Sequence, residues 1–227
     1  LLLQALGLAR GGEGIRQSGT TQGAGHAGEK DMAEKPEGNR FPLHAAAAEG
    51  RLEDVSALLA QGTPVDMVDE KDETPLHVAA TGGHTAVVKL LLERGASIDK
   101  PDRYGWTALD LAIRERMTET AEFLVGAGAD VNFQDACGLS PLHLAARTGQ
   151  VQLVKLLIQE GARVNVQDNH GWTPLHLSVL MGKGDRMASL LVAAGAKLDI
   201  FLACAVGKGD IVREQLDRDP HLIGARA

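Results

Sequence analysis

Four histidines recur along the chain at wide, regular intervals, and metal binding is the first chemistry that such a series could support. They are His44, His77, His143 and His176, and the middle interval is twice as long as each of the outer two. Zinc sites usually take neighbouring ligands from positions a few residues apart, so this spacing does not predict a metal site. We expect instead that each imidazole hydrogen-bonds locally and ties a turn to its helix.

Catalytic chemistry has little support among the other side chains. Cys137 could act as a nucleophile with a histidine base and a third orienting group, but the nearby His143 already has a structural role. The carboxylates are spread over expected turns and helix ends, and the motifs of serine hydrolases, P-loop proteins and zinc proteases do not occur. The sequence therefore predicts no catalytic residue, no cofactor and no enzyme activity.

The elements that position these residues repeat along the chain. From Arg40 onward the sequence matches itself at a constant shift, which is the interval from His44 to His77. A recurring tetrapeptide marks the period: Phe41-Pro42-Leu43-His44, Thr74-Pro75-Leu76-His77, Thr107-Ala108-Leu109-Asp110, Ser140-Pro141-Leu142-His143 and Thr173-Pro174-Leu175-His176. Thr or Ser before Pro starts a helix, because the hydroxyl caps a free N–H group and Pro has none at the first helical position. Glycines at 50, 83, 149 and 182 end this helix, a second apolar helix follows, and aspartates at 69, 102, 135 and 168 open the next turn.

This pattern resembles the ankyrin repeat, which couples a turn and two antiparallel helices around a T-P-L-H-x-A motif. The resemblance implies an all-α repeat solenoid, in which helix-turn-helix units with β-hairpin fingers form an L-shaped stack. It also implies protein binding through the concave face of the finger turns and first helices. We expect one domain over residues 39–227 with about six repeats: 39–69, 70–102, 103–135, 136–168, 169–199 and 200–227.

Some copies depart from the pattern. Arg116 takes the place of the inter-helix glycine in the third copy, Asp110 takes that of the histidine, and in the second copy Asp72 takes that of a turn glycine. A non-glycine residue in a left-handed conformation costs about 1 kcal/mol, so we expect a weak junction at Arg116. Roughly eight residues are missing before Gly207 relative to the other copies, which predicts a sixth unit almost without a finger. Leu222 and Ile223 are apolar where a terminal unit is normally polar, so we expect further repeats after them.

Residues 1–38 are rich in Gly, Ser, Thr and Gln and lack periodicity, so we expect them to be disordered. Met32 is a candidate start, in which case residues 1–31 are not part of the native protein. Reverse translation of residues 27–30 permits a ribosome-binding run before Met32, which is consistent with a bacterial start. The alternative is that residues 1–10 are the remnant of a secretory signal peptide.

The net charge, the apolar runs and the cysteines indicate what kind of partner the chain binds and in which compartment it lies. The formal net charge of −7 argues against nucleic-acid binding, and no apolar run is long enough to cross a membrane. Cys137 and Cys204 follow no metal or redox spacing and suit a reducing compartment. We expect a monomer in the cytoplasm with a protein partner. A secreted or periplasmic location is the alternative if residues 1–10 are a signal-peptide remnant.

The predicted partner site consists of positions that vary between the copies. The two Trp residues and the single Tyr of the chain all lie in or beside the finger turns, and Trp, Tyr and Arg most often dominate binding energy. We expect the partner to contact Arg103, Tyr104, Trp106, Arg114, Leu139, Arg147, His170, Trp172 and Met181. The other interpretation is that each indole merely packs on the next finger.

Three functions remain open at this point. The chain can be a non-catalytic adaptor that binds a protein partner. It can instead be the targeting or regulatory arm of a larger enzyme whose catalytic domain is absent from this chain. A self-assembling spacer that uses its C-terminal face is the third reading. More repeats downstream would favour the adaptor, and a downstream catalytic domain would favour the enzyme arm.

Overall fold

The structure is a computed structural model that describes residues 41–182 and 185–219. All regular secondary structure in these ranges is helical, with no strand. The helices are α1 (Pro42–Ala48), α2 (Leu52–Ala60), α3 (Pro75–Thr81), α4 (Thr85–Glu93), α5 (Ala108–Arg114), α6 (Thr118–Gly126), α7 (Pro141–Thr148), α8 (Val151–Gln159), α9 (Pro174–Leu180), α10 (Asp185–Ala193), α11 (Ile200–Ala205) and α12 (Gly209–Arg218). The expected disordered segment of residues 1–38 lies outside the described residues, as do Leu222 and Ile223.

The predicted Thr-Pro and Ser-Pro helix starts are present, and the motif histidine completes each of them. In α3 the backbone N–H and the hydroxyl of Thr74 both donate to His77 Nδ1, at 3.0 and 2.8 Å. Ser140 and His143 repeat this arrangement at the start of α7, with distances of 3.1 and 2.9 Å. Because Nδ1 accepts these bonds, the proton of each imidazole lies on Nε2. The histidine therefore caps the helix and still has a donor that points away from it.

The first helix of each pair is followed by a residue in the left-handed conformation. Gly83 and Gly149 adopt φ angles of 72° and 79°, and Arg116 takes the same conformation at 62°. The predicted strained position is therefore confirmed. Arg116 Nη1 also donates to the carbonyl oxygen of Thr148 in the next pair at 2.9 Å. An exposed hydrogen bond of this kind offsets part of the backbone cost of about 1 kcal/mol.

The helix pairs stack in chain order and form two layers. The first helices pack in the series α1, α3, α5, α7, α9 and α11, and the second helices pack from α2 through α8. Leu91, Leu124 and Leu157, which occupy the same position in successive second helices, are fully buried. Each pair is too small to bury its own apolar face, so its stability comes from the neighbouring pair.

The sixth helix pair begins without a finger turn, as the shortened sequence predicts. Asp199 caps α11 directly, because its Oδ1 accepts the backbone N–H of Leu202 at 2.8 Å. Its other oxygen, Oδ2, accepts from His176 Nε2 at 2.9 Å. In the earlier repeats the motif histidine donates to a carbonyl of the next finger instead. The Asp199 carboxylate thus substitutes for the missing finger as the acceptor.

Among the residues that the structure describes, no helix combines the length and the apolar character needed to cross a membrane.

Candidate functional site

Four finger turns connect the successive helix pairs: residues 69–73, 102–106, 135–139 and 168–172. In each turn the opening aspartate folds back on its own backbone. Asp102 Oδ1 accepts from the N–H groups of Tyr104 and Trp106, both at 2.8 Å, and Asp135 Oδ1 makes the equivalent bonds to Cys137 and Leu139. These bonds hold the residue at the end of the turn in a defined position.

Neighbouring finger turns are joined to one another through their backbones. The N–H of Arg103 donates to Lys71 O at 3.3 Å, and that of Ala136 donates to Tyr104 O at 3.3 Å. Gly105, at a φ of 79°, allows this approach, since a Cβ atom there would lie 2.8 Å from the Ala136 nitrogen. The turns therefore present one continuous series of side chains along the stack.

The finger turn at residues 102–106 and the helix after it form a cluster of aromatic and cationic side chains. The Tyr104 and Trp106 rings lie 5.0 Å apart between centroids, and the Arg114 guanidinium carbon lies 3.5 Å from the centre of the Trp106 ring. Trp106 Nε1 also donates to Asp135 Oδ2 at 3.1 Å. The indole is thus held on one side by the next finger and covered on its face by Arg114. Such a cation–π contact contributes about 0.5–2 kcal/mol.

Arg147 comes from the equivalent helix of the next pair and lies within electrostatic range of Arg114. It is half-buried in the last turn of α7. Burial lowers the pKa of the Arg147 guanidinium from its ordinary value, and the positive charge of Arg114 lowers it further. Tyr104, Trp106, Arg114 and Arg147 are called the aromatic–arginine cluster below.

The other predicted site residues differ in exposure and in what they contact. Arg103 and His170 are exposed at the tips of their turns, and His170 Nδ1 lies 4.0 Å from Asp168 Oδ2. Trp172 and Met181 are partly exposed. Leu139 is partly buried and packs against the hydrophobic core. No hydrogen bond, ion pair or ring contact between described residues joins these five side chains to the aromatic–arginine cluster.

The two tryptophans have the same sequence context but different surroundings. Trp106 Nε1 donates to Asp135, the aspartate that opens the next finger turn. At the fifth repeat the next finger is absent, and no described residue accepts a hydrogen bond from Trp172 Nε1. The interpretation that the indole packs on the next finger therefore describes Trp106 better than Trp172.

The motif histidines connect one repeat to the next. His77 Nε2 donates to Trp106 O at 3.0 Å and His143 Nε2 donates to Trp172 O at 2.9 Å. Both nitrogens of these rings are engaged, so neither has a lone pair to offer a metal ion. Burial lowers the pKa of both imidazoles. Within residues 41–182 and 185–219, no group of three or more His, Cys, Asp or Glu side chains has a metal-binding arrangement.

Asp110 is the residue whose importance sequence reasoning underestimated. It is fully buried at the motif histidine position, where its Oδ2 accepts the N–H and hydroxyl of Thr107 at 3.0 and 2.9 Å. Its Oδ1 is buried without a hydrogen-bond partner. Burial raises the pKa of Asp110 to about 7 from the ordinary 3.8, although the bonds from Thr107 act in the opposite direction. Replacement of His by Asp in an otherwise regular motif is the signal that marks this position.

A second column of polar side chains joins the repeats and follows the same period. Each of these side chains accepts a hydrogen bond from a backbone N–H of the next repeat. Asp66 accepts from Ser97 and Asp99 accepts from Asp130. Asn132 accepts from Arg163 and Asn165 accepts from Lys197. These side chains lie just after the second helices, away from the motif tetrapeptide. The repeated Asp or Asn at positions 66, 99, 132 and 165 would have revealed this column in the sequence.

The comparisons with known proteins agree with this geometry. A family model described as ankyrin repeats, in three copies, matches residues 43–135 and 117–202, which together span more than half of the chain. The chain belongs to the ankyrin repeat family. None of the curated proteins compared with this ankyrin chain matches it.

Membership of the ankyrin family confirms the predicted all-α repeat fold, which is built here from stacked helix pairs. Ankyrin repeats are generally protein-interaction modules and are typically non-catalytic. The finger turns carry residues that vary between the repeats of this chain, so they are the surfaces at which a specific partner is expected.

Proposed function

We propose that this ankyrin repeat chain is a non-catalytic adaptor that binds a protein partner across its finger turns and first helices. The observation that carries the proposal is the aromatic–arginine cluster. Tyr104 is 51% exposed and packs against Trp106, which is partly exposed and covered by Arg114. Large side chains that are already held in place lose little conformational entropy on binding, and they are frequent hot spots in interfaces.

The proposed site extends beyond this cluster along the neighbouring turns. Arg103 lies at one side, and His170, Trp172 and Met181 lie toward the fifth repeat, with Leu139 in a minor role because it packs against the core. In this proposal the repeats divide residues 39–227 as the sequence period indicates. The fingers act as hairpins along the concave face of an L-shaped stack, as in other ankyrin repeats.

We further propose that the protein is a cytoplasmic monomer. Cys137 and Cys204 are both free and exposed. Exposed free thiols suit a reducing compartment. A sedimentation mass that rises with protein concentration would contradict the monomer and would favour self-assembly.

Site-specific photo-crosslinking tests the proposed surface. A benzoylphenylalanine at position 104 of the full chain should crosslink to a protein in a lysate of the source cells. The same group at the exposed position 89, on the second helix α4, should not. The crosslink at position 104 should weaken when Trp106→Ala or Trp172→Ala is added. Equal crosslinking at positions 89 and 104, or no effect of either tryptophan substitution, would contradict the proposal.

A further inference from the structure

Two arginines of consecutive first helices lie on the proposed binding surface and form no ion pair with any described residue. Arg114 is the last residue of α5, and Arg147 occupies the equivalent position of the next repeat, in α7. Burial lowers the pKa of Arg147, the positive charge of Arg114 lowers it further, and the negative charge of Asp135 acts in the opposite direction. Within the part of the chain that the structure describes, neither guanidinium takes part in an ion pair, and Arg114 Nη1 is buried without a hydrogen-bond partner. A buried donor left unpaired in this way is costly.

The nearby carboxylates of the described residues form no ion pair with these arginines, although the negative charge of Asp135 raises the pKa of Arg147 and the positive charge of Arg114 lowers that of Asp110. Asp135 uses Oδ1 for the N–H groups of Cys137 and Leu139 and Oδ2 for the Trp106 indole. Asp110 is buried, and both bonds from Thr107 go to the one oxygen Oδ2. The exposed Arg103 adds a third positive charge in the finger turn at residues 102–106, which also contains Asp102. The site thus offers guanidinium groups that form no ion pair among the described residues, on a chain whose formal net charge is −7.

The position of Arg114 restricts the shape of the anion that it can bind. Its guanidinium lies over the Trp106 ring at 3.5 Å, so the indole covers one face of the group. Hydrogen bonds from this guanidinium therefore run in its own plane. That geometry matches the two oxygens of a carboxylate, which arginine binds in a bidentate manner.

We propose that Arg114 and Arg147 together bind a carboxylate side chain in an acidic segment of the protein partner. This inference rests on the proposed function and names the chemistry of the partner at the same site. The half-exposed Tyr104 ring beside the pair provides an apolar platform for a residue next to the carboxylate. The segment recognised here thus combines Asp or Glu with an adjacent apolar side chain.

Fluorescence anisotropy with defined peptides tests this inference on the full chain. The probe is a fluorescein-labelled nonapeptide in which glutamate alternates with leucine, and its control has glutamine in place of glutamate. We expect the glutamine peptide to bind at least about tenfold more weakly, because hydrogen bonds between charged partners are lost. Binding of the glutamate peptide should also weaken as the salt concentration rises.

Matched variants separate the arginine pair from general charge effects. Arg114→Met and Arg147→Met keep the aliphatic stem and should each weaken binding at least about tenfold. The same change at the exposed Arg94, Arg94→Met, removes an equal charge at the end of α4 and should change binding less than about twofold. Arg147→Lys retains the charge and the fold but loses the bidentate geometry, so it should still weaken binding severalfold. Far-UV circular dichroism and thermal unfolding establish that each variant is folded.

Three results would overturn the assignment: equal binding of both peptides, an effect of Arg94→Met as large as that of Arg147→Met, or at least tenfold tighter binding of a phosphoserine peptide than of the glutamate peptide.

Failure of this inference is distinguishable from failure of the proposed function. If the acidic peptide does not bind while Trp106→Ala still weakens the crosslink at position 104, the partner contact is not acidic but the docking surface stands. If the crosslink is insensitive to both tryptophan substitutions, the docking surface itself is wrong.

Discussion

Replacing Asp110 with asparagine should remove a large pH dependence from the free energy of unfolding. The Asp110 side chain is fully buried, and burial raises its pKa to about 7, whereas in the unfolded chain the ordinary value of 3.8 applies. Between pH 3.8 and pH 7 the folded protein therefore binds more protons at this site than the unfolded chain. The stabilising contribution is fully present below pH 3.8 and is lost as the pH rises through 7.

The size of this effect follows from the two pKa values. Each pH unit between them changes the free energy of unfolding by about 1.36 kcal/mol. Raising the pH from 5 to 7 should thus cost the wild-type protein about 2.3 kcal/mol through this one group, because the slope falls to half at the folded-state pKa. The carboxamide of Asp110→Asn does not titrate and has an oxygen that can still accept the hydrogen bonds of Thr107. Its free energy of unfolding should lack this component.

Urea unfolding at pH 5 and pH 8, followed by circular dichroism, measures the difference. The lowered pKa values of His77 and His143 destabilise the fold as the pH falls below the ordinary imidazole value of 6.5, but both proteins contain these histidines. Their contribution therefore cancels when the wild type and Asp110→Asn are compared. Asp217→Asn, on the exposed surface of α12, is the matched control and should leave the pH dependence unchanged.

The reasoning would be refuted if the wild type and Asp110→Asn lost stability in parallel between pH 5 and pH 8. A carboxyl carbon NMR titration gives an independent reading of the same group. A midpoint near 4 for Asp110 in the folded protein would show that its burial is not sufficient to hold the proton.

Two further predictions concern stability. His143→Ala removes the acceptor of the Ser140 N–H and the donor to Trp172 O. Leaving these buried groups unpaired should cost about 2 kcal/mol in urea unfolding at pH 7. Burial lowers the pKa of His143, so its contribution to the free energy of unfolding is present above pH 6.5 and is lost as the pH falls. The difference in unfolding free energy between wild type and His143→Ala should therefore shrink at pH 5.5. A difference that stays constant with pH would contradict this. Leu157→Ala empties a fully buried position and should cost about 2–5 kcal/mol. Leu52→Ala changes a side chain that is 42% exposed and should have a much smaller effect. Thermal unfolding checks this pair, and similar losses for both would argue against the stacked core.

Much of the repeat architecture could be predicted because it depends on local chemistry. A hydroxyl followed by proline starts a helix through bonds within a single turn, and a residue that must be left-handed is recognisable by its position in the period. The same reasoning located Arg116 and Asp72, whose φ angles of 62° and 61° deviate from what their side chains favour. The loss of the finger before Ile200 was also visible, because a gap in a regular period needs no tertiary information.

The interactions between repeats could not be predicted in the same way. The sequence places His77 next to its own helix, but its second nitrogen bonds to the carbonyl of Trp106 in the following finger turn. Which side chains meet across that distance depends on how one helix pair sits on the next. The period of the column at Asp66 and Asn132 is visible in the sequence, but its hydrogen bonds to Ser97 and Arg163 are set by the packing of successive pairs.

For the candidate site, the sequence by itself determined which residue types stand at the variable positions and that Trp106 and Trp172 share one motif. Only the tertiary structure decided that Arg114 lies over Trp106, that Asp135 holds the indole, and that Trp172 has no equivalent acceptor among the described residues. It also placed Leu139 against the core and buried Arg114 Nη1 without a hydrogen-bond partner. The physical reason is that helix capping acts within a few residues, whereas burial and charge at this site arise from side chains supplied by three successive repeats.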